Sequence, residues 1–216
     1  MSTYNFLILK HNNHQPAGAK WPVVLCRGAS AGAGISYLRD NPATTMIIVN
    51  DWRKKFPEEL ITEERLTVNF LTDMAGRQFV FGNVEPKPIE MRCRRAWDEI
   101  ITGKLKANKE KFEALRHLWN ENPDTGLRAI AWTSLTYGSM IIYGFDVWDS
   151  DYYGTPMSMN IEKKIKKGLE RRDKWLEALD AWIRLTPEVD YLFYTVSEHL
   201  PTRITNHLNV DFKIIR

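Results

Sequence analysis

Short apolar runs alternate with amphipathic stretches along this chain. The apolar runs predict strands at Tyr4–Leu9, Val23–Cys26, Thr45–Val49, Leu66–Leu71, Gln78–Phe81, Ser139–Tyr143 and Tyr191–Val196, and an edge strand at Val210–Ile215. Apolar residues at helical spacing predict helices at Ile35–Arg39, over Arg92–Trp119 as one helix or two, at Leu127–Tyr137 and at Ile161–Leu185. Gly103 and Asn108 are the candidate breaks in Arg92–Trp119, and Asp124 or Thr125 is the expected N-cap of the helix at Leu127–Tyr137. Ser197–Arg203 is predicted to be a polar turn. Strands that alternate with helices predict an α/β fold, with a mostly parallel sheet and helices on both faces.

Composition narrows the class of protein without naming an activity. The chain has 216 residues, 44% of them hydrophobic and 26% charged, which is ordinary for one globular domain. No window approaches the roughly 18 to 20 apolar residues of a membrane helix, and the N-terminus lacks a signal-peptide pattern. The cysteines Cys26 and Cys93 indicate neither a disulfide framework nor a zinc site. We therefore expect a cytoplasmic protein without stable membrane insertion.

The segment Val23–Gly34 joins a buried strand to a helix through small residues. Such a turn exposes backbone N–H groups at a helix start, where they can bind a phosphate. Its glycines follow the spacing G-x-x-x-G-x-G, which differs from the dinucleotide pattern G-x-G-x-x-G and disfavours an NAD-linked oxidoreductase. A tight turn that binds no ligand is the alternative for this segment.

Polar residues follow the next strand. Asn50 and Asp51 come directly after Thr45–Val49, and the carboxyl ends of parallel strands share one crevice with the glycine turn. We expect them to contact the base or ribose of a nucleotide. Four tryptophans have polar or charged neighbours and are candidate stacking platforms for a sugar or base, although core packing is the commoner role: Trp52, Trp97, Trp148 and Trp175.

Three blocks, in order, resemble the sialyltransferase-like glycosyltransferases of bacteria and phages. The blocks are Arg27-Gly28-Ala29-Ser30 after the first core strand, Asn50 and Asn69 on the next strands, and Thr125-Gly126 followed by Gly144-Phe145-Asp146. The resemblance implies sugar transfer from a nucleotide donor without a metal, in a single Rossmann-like domain over residues 1–216 that is a variant of the GT-A fold. Together with Asp51, expected at the same crevice from its place after a strand, it implies a donor site formed by Arg27, Gly28, Ala29, Ser30, Asn50, Asn69, Thr125 and Gly126.

The chain departs from that family in the segment after Gly144-Phe145-Asp146. The family's sialyltransferases have a catalytic histidine there, and this chain has no histidine between Gly144 and Asp190. The lid, expected around residues 147–160, must also be short. The donor therefore need not be a sialyl nucleotide.

Sugar transfer needs a base for the acceptor hydroxyl and a group that stabilises the departing phosphate. Asp146, Asp149 and Asp151 are the candidate bases, and a carboxyl in an aromatic pocket has a raised pKa. Asp146 could equally cap neighbouring backbone, and His199 is a more remote candidate. Arg27, Tyr152 and Tyr153 could bind the phosphate.

Two further patterns resemble metal sites, but for each of them a role without a metal is the favoured interpretation. Asp149-Ser150-Asp151 matches the D-x-D pattern that holds a divalent metal in other glycosyltransferases, but short acidic triplets are common. His11 and His14 lie in a polar segment without a third ligand nearby, so a solvated loop is the favoured interpretation.

The sequence gives less information about the acceptor than about the donor. A formal net charge of +3, basic helices and interleaved tryptophans favour double-stranded phage DNA with hydroxymethylated bases, each flipped out to react. A cell-surface glycan or lipid-linked acceptor is the alternative, with the run Lys163–Lys167 facing an anionic membrane. A module that binds nucleotide or nucleic acid without catalysis also remains open.

Overall fold

The computed structural model describes residues 21–50, 56–72, 85–105, 107–120, 124–147, 166, 168–204 and 206–215. Its seven strands are β1 (Val23–Leu25), β2 (Met46–Val49), β3 (Thr67–Leu71), β4 (Ile89–Arg92), β5 (Met140–Tyr143), β6 (Tyr191–Thr195) and β7 (Val210–Ile214). Its helices are α1 (Ala31–Asp40), α2 (Cys93–Ile101), α3 (Lys109–Asn120), α4 (Thr125–Tyr137), α5 (Arg172–Leu185) and α6 (His199–Arg203).

All seven strands are parallel and form one sheet in the order β4-β3-β2-β1-β5-β6-β7. The chain winds outward from β1 to β4, returns to β5 on the other side of β1, and continues outward to β7. The winding direction therefore reverses between β1 and β5, where Leu25 is in register with Tyr143. In open α/β sheets the ligand site lies at the carboxyl ends of the strands at this reversal.

Helices cover both faces of the sheet, because side chains alternate between the faces along each strand. One face packs against α2 to α6 through large buried side chains such as Phe70, Trp132, Trp182 and Phe193. The opposite face packs against α1 and a 3-10 turn at Glu58–Leu60. The α/β, Rossmann-like fold predicted from the sequence is confirmed.

Several element boundaries differ from the sequence prediction for local reasons. Arg92–Trp119 contains two helices, separated near Gly103 and Asn108, where breaks were expected. The strand Ile89–Arg92 was not predicted, because it is an edge strand whose first two residues are exposed and carry no buried apolar pattern. Ser197–Arg203 was predicted as a polar turn, but it contains α6, which Leu200 anchors in the core.

Some predictions fall outside the described residues. These are the strands Tyr4–Leu9 and Gln78–Phe81, the histidines His11 and His14, the first part of the helix predicted at Ile161–Leu185, and the lid around 147–160 apart from Val147. In the described part of the chain, no helix combines the length and apolar character that crossing a bilayer needs.

Candidate functional site

A cleft with a cavity volume of about 80 Å³ lies at the carboxyl ends of β1 and β5. Its polar wall is formed by Arg27, Asn50, Asp124 and Asp146. The apolar wall is formed by Val49, Phe145, Val147 and Trp175, and the rest of the lining is Cys26, Gly28, Gly126 and Gly144.

Five segments meet at this cleft: the turns after β1, β2 and β5, the start of α4, and α5. They bring together five of the candidate donor-site and catalytic residues, which are Arg27, Gly28, Asn50, Gly126 and Asp146. Sheet topology explains the meeting, because the turns follow neighbouring parallel strands.

Asp146 is the most heavily hydrogen-bonded side chain at the cleft. Its Oδ2 accepts the Ser30 backbone N–H at 2.9 Å, and its Oδ1 accepts the Ser30 hydroxyl at 2.7 Å. Oδ1 also accepts the Thr195 hydroxyl at 2.9 Å and the Val196 N–H at 3.1 Å. With only 2% of Asp146 exposed, its carboxylate joins the turns after β1, β5 and β6.

The backbone amides at the start of α1 donate within the protein. Gly28 N–H donates to the Gly144 carbonyl at 2.8 Å, and Ala31 N–H donates to the Gly28 carbonyl at 3.0 Å. Ser30 N–H donates to Asp146, so a carboxylate of the chain itself occupies the helix start. These hydrogen bonds are those expected if the segment is a tight turn that stabilises the fold and binds no ligand. Phosphate binding by the same amides stays a prediction, and a phosphate there would compete with Asp146.

Glycine is required in this turn because two chain segments pass each other closely. A Cβ on Gly28 would lie 2.2 Å from Asp146 Oδ2 and 2.7 Å from the Gly144 carbonyl oxygen. A Cβ on Gly34 would lie 2.7 Å from the Tyr143 ring. The first and last glycines of G-x-x-x-G-x-G therefore permit contact between β1, α1 and β5.

Asp124 caps the second helix that points at the cleft. Its Oδ1 accepts the Gly126 N–H at 3.0 Å, so Asp124 is the N-cap, for which the sequence left Asp124 and Thr125 open. Burial raises the pKa of the Asp124 carboxyl, while hydrogen bonds from the Gly126 and Thr125 amides and the charge of Arg128 oppose that rise. The sequence indicated a cap here but did not place Asp124 at the site.

Two of the four candidate stacking tryptophans can be located. Trp175, the fourth residue of α5, lines the cleft and is half-buried. Trp97 lies away from the cleft lining and stacks against Phe112 and Trp119, each at 5.7 Å between ring centroids. Trp52 and Trp148 are outside the described residues.

Other predicted donor residues do not line the cleft. Ala29 is exposed, Ser30 is buried behind the wall on Asp146, and Thr125 is buried at the start of α4. Asn69 lies inside β3 with 2% exposed, and its side-chain oxygen has no hydrogen-bond partner among the described residues.

The remaining candidate residues are not placed in the site. His199 is exposed at the start of α6 and is not part of the cleft wall. Five candidates lie outside the described residues: Asp51, Asp149, Asp151, Tyr152 and Tyr153. Within the described ranges, no three His, Cys, Asp or Glu side chains group as a metal site, and Asp149-Ser150-Asp151 lies outside those ranges.

Comparison of the chain with protein-family models, with curated proteins and with solved structures finds no match. The cleft is therefore interpreted from its position in the sheet, its wall and its charged groups.

Proposed function

We propose that the protein is a glycosyltransferase that moves a sugar from a nucleotide-sugar donor to a hydroxyl acceptor. One observation carries the proposal: Arg27, Asn50 and Trp175 surround a single open cleft at the reversal point of a parallel sheet. This is the place where open α/β sheets bind nucleotides. The order of the sequence blocks that resemble glycosyltransferases supports the same function.

Each of these three side chains suits one part of a nucleotide sugar. The Arg27 guanidinium supplies a positive charge and paired N–H donors for a phosphate. The Asn50 carboxamide offers both a donor and an acceptor to a base or ribose. The Trp175 ring provides a flat apolar face for the base or the sugar. Tyr152 and Tyr153 stay predicted partners of the leaving phosphate.

Donor binding tests the proposal directly. We expect one member of a panel of UDP-, CMP-, GDP- and dTDP-sugars to raise the melting temperature, since a ligand at 100 times its Kd stabilises by about 2.7 kcal/mol. For a domain of this size that corresponds to a rise of roughly 5 to 10 °C. Trp175→Leu should weaken donor binding about 5- to 150-fold, the range expected for a lost stacking contact.

Trp97→Leu is the matched control for Trp175→Leu, since Trp97 packs in the α2–α3 aromatic stack away from the cleft. It should lower the melting temperature and leave the donor Kd unchanged. Mass spectrometry of donor incubated with the protein then separates the functional classes. Donor cleavage supports a transferase, and binding without turnover favours the non-catalytic nucleotide-binding module. A panel in which no donor binds or is cleaved rejects the proposal.

For the acceptor we propose double-stranded DNA that carries hydroxymethylated bases. The basic side chains Arg171 and Lys174 are exposed at the start of α5, next to Trp175 in the cleft wall. A base flipped out of the duplex could reach the cleft while these cations contact the flanking phosphates. A cell-surface glycan is the competing acceptor and lacks a regular array of phosphates.

Salt dependence distinguishes the two acceptors. We expect the affinity for hydroxymethylated DNA to fall steeply between low and moderate salt, with a slope of about 0.9 per phosphate contact. Replacing Arg171 and Lys174 together by Gln should reduce that slope by about 2. The control replaces Arg39 and Lys87, exposed cations outside the cleft wall, and should leave the slope unchanged. Tight glycan binding with little salt dependence would instead favour the glycan.

A further inference from the structure

We infer that Asp124 is the general base of the proposed transfer, accepting the proton of the hydroxyl that attacks the sugar. This role rests on the proposed function and assigns within it a catalytic residue that the sequence patterns did not identify. The assignment follows from a comparison of the carboxylates in the cleft wall.

The described part of the cleft wall contains two carboxylates, Asp124 and Asp146. Four donors hold Asp146, two from Ser30 after β1 and two at the end of β6, and only 2% of the residue is exposed. If Asp146 accepted a proton from a substrate, one of its oxygens would become a donor and would no longer accept the hydrogen bonds that hold it. Asp124 accepts backbone N–H groups at the start of α4 and is half-buried on the wall that Asn50 and Trp175 share. Asp124 is therefore the better placed to exchange a proton with a bound substrate.

The charged and titratable groups around Asp124 are compatible with this role. Arg128 lies on the same helix, and Arg27, Cys26 and Asp146 belong to the cleft wall. Burial is the main reason that the pKa of the Cys26 thiol is raised, so the thiol is neutral at pH 7 and adds no charge. The pKa of Asp124 is also raised, mainly by burial, which makes it a stronger base than an exposed aspartate.

The proposed transfer needs no reactant other than the nucleotide-sugar donor and the hydroxyl acceptor. The acceptor oxygen forms a bond to the anomeric carbon of the sugar, and the bond from that carbon to the donor phosphate breaks. The electron pair of the broken bond leaves with the nucleotide, near Arg27. The hydroxyl proton goes to the Asp124 carboxylate, which releases it to solvent after the product leaves. In donor hydrolysis, water takes the place of the acceptor.

Asp124 can be changed without loss of its cap. Asn and Ser cap helices about as well as Asp. Because burial raises the pKa of Asp124, folding disfavours its ionised form, and the stability present below the ordinary aspartate pKa is lost as the pH rises through the folded pKa. Asp124→Asn removes that charge, so its melting temperature at pH 7 should equal or exceed that of the wild type.

The test measures donor hydrolysis, or transfer where an acceptor is found, with the donor that the panel identifies. We expect Asp124→Asn and Asp124→Ser to reduce kcat about 10²- to 10⁴-fold, the usual contribution of a general base, with donor Kd unchanged. The wild-type kcat should rise with pH through the Asp124 pKa, and both variants should lose that rise. Asp40→Asn, an exposed carboxylate at the end of α1, is the control and should keep full activity.

The outcomes separate this role from the proposed function. Wild-type activity that survives in both Asp124 variants, or whose pH dependence disappears in Asp149→Asn or Asp151→Asn instead, overturns the role of Asp124 and leaves the transferase intact. A wild-type protein that neither binds nor cleaves any donor rejects the function and the role together.

Discussion

Replacing Gly144 by alanine is expected to lower the melting temperature by roughly 8 to 16 °C, as a loss of at least about 4 kcal/mol does in a domain of this size. Gly144 adopts a φ of +73°, where a side chain is strained. A Cβ there would also lie 2.3 Å from the Cys26 carbonyl oxygen and 3.1 Å from the Gly28 nitrogen. Both neighbours are backbone atoms of the turn after β1, so neither can rotate away.

Gly103 provides a control with the same backbone conformation. Its φ is also +73°, and nothing lies within 4 Å of the position of its Cβ. Gly103→Ala should therefore show only the conformational strain, about 1 to 2 kcal/mol. Thermal unfolding of the two variants side by side measures the steric contribution at Gly144. Equal losses would show that the turns after β1 and β5 do not depend on this close approach.

The central strands could be predicted from the sequence because their residues are apolar on both faces. β1, β2 and β5 are fully buried, and each was predicted to within about a residue or two. The edge strand β4 was missed, because Ile89 and Glu90 are exposed and leave no periodic signal. A strand buried on both faces requires a run of apolar residues, which can be recognised in the sequence. An edge strand forms by pairing with a strand from elsewhere in the chain, and this pairing leaves no local pattern.

The position of the cleft in the sheet could be predicted from the sequence, but the hydrogen bonds between the residues around it could not. The glycines indicated a tight turn after β1, and the structure shows that the turn after β5 packs closely against it. Ser30 and Asp146 are 116 residues apart, so their pairing leaves no trace in either local pattern. Asp124 was recognised only as a cap, because its place in the cleft wall depends on how α4 packs against the sheet.

The Asp146 network leads to the second large effect. Asp146→Ala removes the acceptor of four donors: the Ser30 N–H and hydroxyl, the Thr195 hydroxyl and the Val196 N–H. A buried donor that loses its acceptor costs about 1 to 3 kcal/mol, and the two hydroxyls can rotate toward other partners. We therefore expect a loss of roughly 3 to 5 kcal/mol in the free energy of unfolding, measured by urea titration at pH 7.

Asp173→Ala is the control for the loss of an aspartate as such. Asp173 pairs with Arg203 at 3.2 Å on the surface, and an exposed ion pair contributes about 0 to 1 kcal/mol.

A double-mutant cycle of Asp146→Ala with Ser30→Ala should give a coupling energy within the roughly 0.5 to 3 kcal/mol found for residues in one network. Additive losses would contradict the network. Because Asp146 holds three strand ends together, its removal should reduce stability, whereas Asp124→Asn should reduce kcat alone. This contrast distinguishes the stabilising role of Asp146 from the catalytic role proposed for Asp124.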